Sequence, residues 1–239
     1  MGHDKLDQYK GRLNPAQIAE GINAAQENAR RLAEDAATLL EAGRYPTAAS
    51  LAALSIEESG KSSILRSLAL ARDDSEAAKA WREYRSHTRK NTMWVFIDLV
   101  ARGARRLAEF QPLFDPGSDH PAVLNHLKQL GLYTDCLGKA HWSRPSAVID
   151  ESLARALVTT ARLLSSSSEA VTVTEIALWV KHLGPVAKRH PSWQERALEN
   201  WYAAMQAAGL RPSGENKMST FIRSGLAPKE PGAKGNGNA

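Results

Sequence analysis

Residues 14–72 read NPAQIAEGINAAQENARRLAEDAATLLEAGRYPTAASLAALSIEESGKSSILRSLALAR, and this stretch decides the fold. Asn14 precedes Pro15, an N-cap followed by proline at the first helical position, where its missing N–H costs nothing. Ile18, Ile22, Ala25, Ala29, Leu32, Ala36 and Leu39 then recur at steps of three and four, which predicts an amphipathic helix that stops at Gly43. The turn Gly43-Arg44-Tyr45 is short, and Pro46 opens a second helix that runs back to about Arg72. A helical hairpin is therefore the expected nucleus of an all-α chain.

Working outward, residues 73–91 read DDSEAAKAWREYRSHTRKN. Asp73 with Glu76 fits a capping box at the start of a third helix, with Ala77, Trp81, Tyr84, Thr88, Val95 and Leu99 along one side as far as about Phe110 and Gly103 as a weak point. The segment QPLFDPGSDHP that follows is rich in proline and predicts a loop. A short helix is expected from Pro121 to Leu130, then Gly131 to Asp135, then a helix from Pro145 to about Leu164. Ser165 to Ser168 breaks the composition, and helices are expected at Thr174–Leu183, Ser192–Ala208 and Lys217–Ser224, packed through Trp179, Trp193 and Trp201. This gives a polar segment at 1–14, a bundle at 15–165, a helical extension at 166–224 and a tail at 225–239 that is expected to be disordered, since its end, APKEPGAKGNGNA, has no apolar residue able to anchor it.

Composition limits the chemistry. One cysteine, Cys136, excludes an internal disulfide and a cysteine-based zinc site, so a reducing compartment, the cytoplasm, is expected. The start of the chain lacks the apolar core of a secretory signal, and no run of about 18 apolar residues suits a membrane span. Lys and Arg number 31 against 26 Asp and Glu, a formal charge of +5 that permits an anionic partner such as RNA.

Gly60-Lys61-Ser62 ends like a phosphate-binding loop, yet Ser55 stands where that loop needs glycine and the surroundings are helical. Glu57 and Glu58 suggest a carboxylate metal site, but the Glu-x-x-His step such sites use is missing; Glu83 and His87 are four apart. No metal and no cofactor is expected, and His120, His126, His141, His182 and His190 read as solvated. Leu54, Glu57, Lys61, Ile64, Leu65 and Leu68 fall on one side of the second helix, which sets a carboxylate and an amine in an apolar stripe. Either Glu57 pairs with Lys61 or both meet charges from the third helix. On a continuous third helix, Arg82, Arg85 and Arg89 form a basic stripe while Glu83, His87, Lys90 and Trp94 form another face. Arg82 and His87 then lie about 140° apart around the axis. One phosphate could join them only across a two-fold axis between two chains.

Four stretches carry a resemblance: Leu39-Leu40-Glu41-Ala42-Gly43-Arg44-Tyr45-Pro46-Thr47-Ala48, Ile56-Glu57-Glu58-Ser59-Gly60-Lys61, Trp81-x-x-Tyr84-x-x-His87-x-x-Lys90, and Leu132-Tyr133-Thr134-Asp135 with Pro145 downstream. Over roughly Ala16 to Leu164 the chain resembles the AbiV-type abortive infection proteins, a branch of the HEPN superfamily of antiparallel helical bundles. The resemblance implies an antiphage role in which the infected cell stops growth or translation, and a metal-independent endoribonuclease with an Arg-x(4 to 6)-His motif near a dimer interface. Arg82 to His87 fits that spacing. His87 is then the general acid/base, Arg82 the phosphate clamp and Lys90 a secondary cation. Glu57, Lys61, Glu58 and Tyr84 form the orienting network, and Arg85 and Arg89 contact RNA. Glu83 follows Arg82 where the superfamily usually has Asn, Asp or His, so this carboxylate must be turned away from the phosphate or paired. The implied partners are RNA, a second copy of the chain and a phage-encoded activator. The alternative is a non-catalytic helical module that binds RNA, the ribosome or a phage protein.

Overall fold

The computed structural model describes residues 7–86, 120–167 and 169–225. The fold is all-α: α1 (Pro15–Glu41), α2 (Tyr45–Ala69), α3 (Asp74–Arg85), α4 (His120–Leu132), α5 (Pro145–Val148), α6 (Glu151–Ser165), α7 (Val173–Leu183), a 3-10 turn (Gly184–Val186), α8 (Pro191–Ala207) and α9 (Lys217–Ser224). Between α4 and α5 lie two strands of two residues each, β1 (Cys136–Leu137) and β2 (His141–Trp142), which the sequence pattern did not announce. Helix α5 is one turn, parted from α6 by extended Ile149, so the helix expected from Pro145 is two pieces.

The caps behave as the sequence chemistry requires. Asn14 Oδ1 accepts from Gln17 N and Gln17 Oε1 accepts from Asn14 N, which closes the start of α1 reciprocally. Gly43 takes φ +70, the left-handed turn that lets α2 double back. At α3, Asp73 accepts from Glu76 N at 2.9 Å, but Glu76 reaches past it to accept from Arg72 N, also at 2.9 Å.

Helix α2 is the centre of the molecule, in contact with α1, α3, α4, α5, α6 and α7. That position explains its composition. A helix with neighbours on most sides has no single apolar stripe, and alanine and serine let those neighbours approach closely. Ala48, Ala49, Ala52, Ala53 and Ile56 meet Ala33, Ala36 and Ala37 of α1, Leu124 of α4, and Leu157, Val158 and Ala161 of α6 in one core. Ser55 Oγ is buried there and donates to Ala29 O at 2.6 Å.

A second core gathers Ile18 and Ile22 of α1, Leu65 and Leu68 of α2, Ala77, Ala80 and Trp81 of α3, and Ile176 of α7. The chain entering α7 is clipped to α1 by a reciprocal amide pair, Asn23 Nδ2 to Val171 O at 2.9 Å and Val171 N to Asn23 Oδ1 at 2.8 Å. Arg66 of α2 donates to Glu175 of α7 at 2.5 Å and lies over the rings of Trp179 and Trp201. Those two tryptophans pack as expected; Trp193, 62% exposed, does not, because its place at the start of α8 faces solvent.

Candidate active site

Helix α3 is anchored through its C-terminal half. Trp81 Nε1 donates to Gly11 O at 2.8 Å, and the edge of Tyr84 meets Trp81 with ring centroids 5.3 Å apart. Arg85 lies over the Trp81 ring and donates from Nη2 to Tyr9 O at 2.5 Å. Arg85, assigned to RNA contact on sequence grounds, is thus occupied with the chain's own N-terminal segment. Arg82 is exposed, and no hydrogen bond or ion pair holds its guanidinium among the described residues. An unpaired guanidinium in water keeps all its donors for a phosphate.

The third helix ends far earlier than its periodicity suggests. Ser86 is the C-cap, with φ −80 and ψ 123, extended rather than helical, and its N–H closes the last turn on Arg82 O and Glu83 O. The angle of 140° between Arg82 and His87 assumed an unbroken helix, so it does not apply. His87, Arg89 and Lys90 lie outside the described residues.

The carboxylates and amines of α2 sort differently from the sequence expectation. Among the described residues, Glu57 has a partner that neither sequence alternative named. Its Oε1 accepts from Lys128 Nζ of α4 at 2.9 Å, and both residues are buried. Lys61 pairs instead with Glu58 at 2.6 Å and sits 5.1 Å above the centroid of Tyr84. Glu58, Lys61 and Tyr84, three members of the expected network, therefore meet between α2 and α3, and the fourth, Glu57, is held by Lys128. Lys128 escaped the sequence reading, although a signal existed. Leu124, Leu127, Lys128 and Gly131 follow i, i+3, i+4, i+7, which sets the lysine on the apolar side of α4.

Glu83 lines a cleft of about 340 Å³ together with Glu76, Lys79 and Lys188. Steps of three and four put Glu76, Lys79 and Glu83 on one side of α3. Arg82 is not among the residues that line that cleft. Lys188 Nζ donates to Glu76 at 2.5 Å, and with the Arg72 backbone and side chain it holds the Glu76 carboxyl down at about 2, from an ordinary 4.5. A depressed carboxyl pKa adds stability above the unfolded value that is lost as pH falls through the folded one. The contact should thus weaken between pH 4.5 and about 2. Urea titrations across that range should show wild type losing stability relative to Glu76→Gln. Parallel curves for the two proteins would count against this linkage.

Among the described residues no group of three His, Cys, Asp or Glu is placed to hold a metal ion, and no helix is long and apolar enough to cross a membrane. His126, His141 and His190 are exposed as expected; His182 Nε2 is buried instead, without a hydrogen-bond partner.

Residues 17–166, from the first turn of α1 to the end of α6, match the family model for AbiV, of HEPN type. The chain belongs to the AbiV family. The match takes in α2, α3 and the Arg82 to His87 segment and stops where the serine-rich break begins. No curated protein and no solved structure matches the chain.

Proposed function

We propose that this AbiV-family protein is an abortive-infection toxin that stops the infected cell by cutting RNA without a metal. The observation that carries the reading is Arg82, an exposed guanidinium with no partner among the described residues, on the last turn of α3, five residues before His87 in a chain whose family match spans both. Arg82 stabilises charge on the scissile phosphate, and His87 moves the proton of the attacking 2′-hydroxyl. Lys90 adds a second cation, and the Glu58, Lys61 and Tyr84 cluster supports the face of α3 from below. We further propose that the protein acts in the cytoplasm as a homodimer released by a phage-encoded activator. RNA cut by the purified protein in the presence of a chelator should carry 2′,3′-cyclic phosphate ends. Cleavage that continues unchanged in His87→Ala would remove the assignment.

One observation favours a second reading, a non-catalytic module that binds RNA, the ribosome or a phage protein. Glu57 is held by Lys128 inside the bundle, as in a residue kept for packing. On that reading His87→Ala lowers the melting temperature in step with antiphage protection. Lost protection with an unchanged melting temperature would decide for catalysis.

A further inference from the structure

The segment after α4 carries aromatic surface that the bundle leaves in water. Trp142 is 70% exposed, Tyr133 60% and Leu132 42%. Exposed leucines are ordinary, whereas two large rings left out within ten residues forgo substantial burial and call for a ligand.

The hairpin's geometry decides which way Trp142 faces. Cys136 pairs with Trp142 and Leu137 with His141, and Ser143 N donates to Asp135 O at 2.7 Å, which continues the register. Alternation along a strand puts neighbours on opposite faces. Ser143 is buried, so Trp142 and Arg144 share the outward face. The turn is tight: Gly138 takes φ 53 and Ala140 φ 62, a left-handed backbone that alanine adopts at a cost. Lys139 in the turn and Arg144 beyond the strand are both exposed. Asp135, at the base of the hairpin, accepts from Cys136 N at 2.7 Å.

We infer that this hairpin is a docking point for single-stranded RNA, with a base stacked on Trp142 and the flanking phosphates held by Lys139 and Arg144. The chemistry is that of sequence-tolerant single-strand binders, where aromatic rings take bases and cations track the backbone. An apolar protein partner would not use the exposed cations Lys139 and Arg144 that flank the tryptophan in the chain, and the formal charge of +5 favours a polyanion. The site rests on the ribonuclease reading for its role but is separate from Arg82. Gly131, at the end of α4, packs at the level of Ser50, while the Arg82 end of α3 packs at the level of Lys61, whose ammonium lies over Tyr84. At 1.5 Å per residue along α2 the two levels are roughly 16 Å apart. The hairpin is thus an anchor for a strand long enough to reach α3, which selects extended RNA over short fragments.

The test measures binding of the full chain to a fluorescent 2′-O-methyl oligouridylate, which lacks the attacking hydroxyl and cannot be cut by the proposed chemistry. Trp142→Ala should weaken binding about tenfold, with Trp142→Tyr keeping most of it. Lys139→Gln with Arg144→Gln should flatten the salt dependence. A ring this exposed leaves the fold intact when removed, which circular dichroism checks. Wild-type affinity in Trp142→Ala, or failure of the wild-type protein to bind the probe, would overturn the site, the latter pointing to a protein partner on this face. Trp142-dependent binding by a protein that cuts no RNA would keep the site and sink the ribonuclease.

Discussion

Lys128→Met should destabilise the protein by about 3–5 kcal/mol, the usual cost of removing one member of a buried ion pair. The ammonium lies 2.9 Å from Glu57 Oε1, and the two side chains are 6% and 2% exposed, so water cannot take over the lost contact. Methionine preserves most of the volume of the lysine stem, which separates the charge effect from a cavity effect. Glu57→Gln, which removes the charge but keeps a hydrogen-bonding group, should cost less. The double variant should cost less than the two single ones added together, because the groups are in direct contact and couple. Urea unfolding midpoints for the four proteins give the coupling directly. A Lys128→Met protein within about 1 kcal/mol of wild type would mean that the pair is open to solvent in solution.

The pair also shows where a linear reading of the chain stops. Glu57 could be recognised as a charge inside an apolar pattern, because that depends only on its neighbours along α2. Its partner could not, since Lys128 is 71 residues away and only the packing of α4 across α2 brings it near. The same division holds for the elements. Asn14 with Pro15, Gly43, and Asp73 act locally, and α1, α2 and the start of α3 lie where those residues put them. The end of α3 has no such marker. Arg85-Ser86-His87 contains neither glycine nor proline, and a helical pattern of apolar residues continues beyond it, yet Ser86 is extended. Trp81 and Arg85 are fixed to Gly11 and Tyr9, tertiary contacts that no periodicity encodes.

For the candidate site this matters more than for the fold. Arg82 was found by its spacing from His87, and its exposure fits the role proposed for it. Arg85 was found by the same basic stripe and is tied to the chain's own backbone. Residue type and spacing cannot separate those two arginines, because the difference lies in what the N-terminal segment does above α3. Likewise the motif Leu132-Tyr133-Thr134-Asp135 was legible as a signature, but not as the base of a hairpin that turns a tryptophan outward.

Gly131→Ala is the second substitution expected to have a large effect, and two opposing terms decide its sign. Alanine in place of glycine within a helix is ordinarily favourable by roughly 0.5–1 kcal/mol. Here a Cβ on Gly131 would stand 2.4 Å from Ser50 Oγ and 2.9 Å from the carbonyl oxygen of Pro46. The serine hydroxyl can rotate, but only by giving up its bond to Pro46 O at 2.9 Å and its contact with Lys128 O at 3.3 Å, in a place where it is fully buried. The Pro46 carbonyl is backbone in the first turn of α2 and cannot rotate, so α4 must back away. Overpacking of this kind costs about 1–3 kcal/mol, and a buried hydroxyl without a partner about 1–3 kcal/mol more, so the clash outweighs the helix gain. The net expectation is a loss of about 2 kcal/mol or more. Adding Ser50→Ala removes the closer contact and leaves the one with Pro46, so it should restore only part of the loss. Equal or higher stability of Gly131→Ala in urea would show that α4 has room to move on α2. The close approach would then no longer explain why this turn carries a glycine.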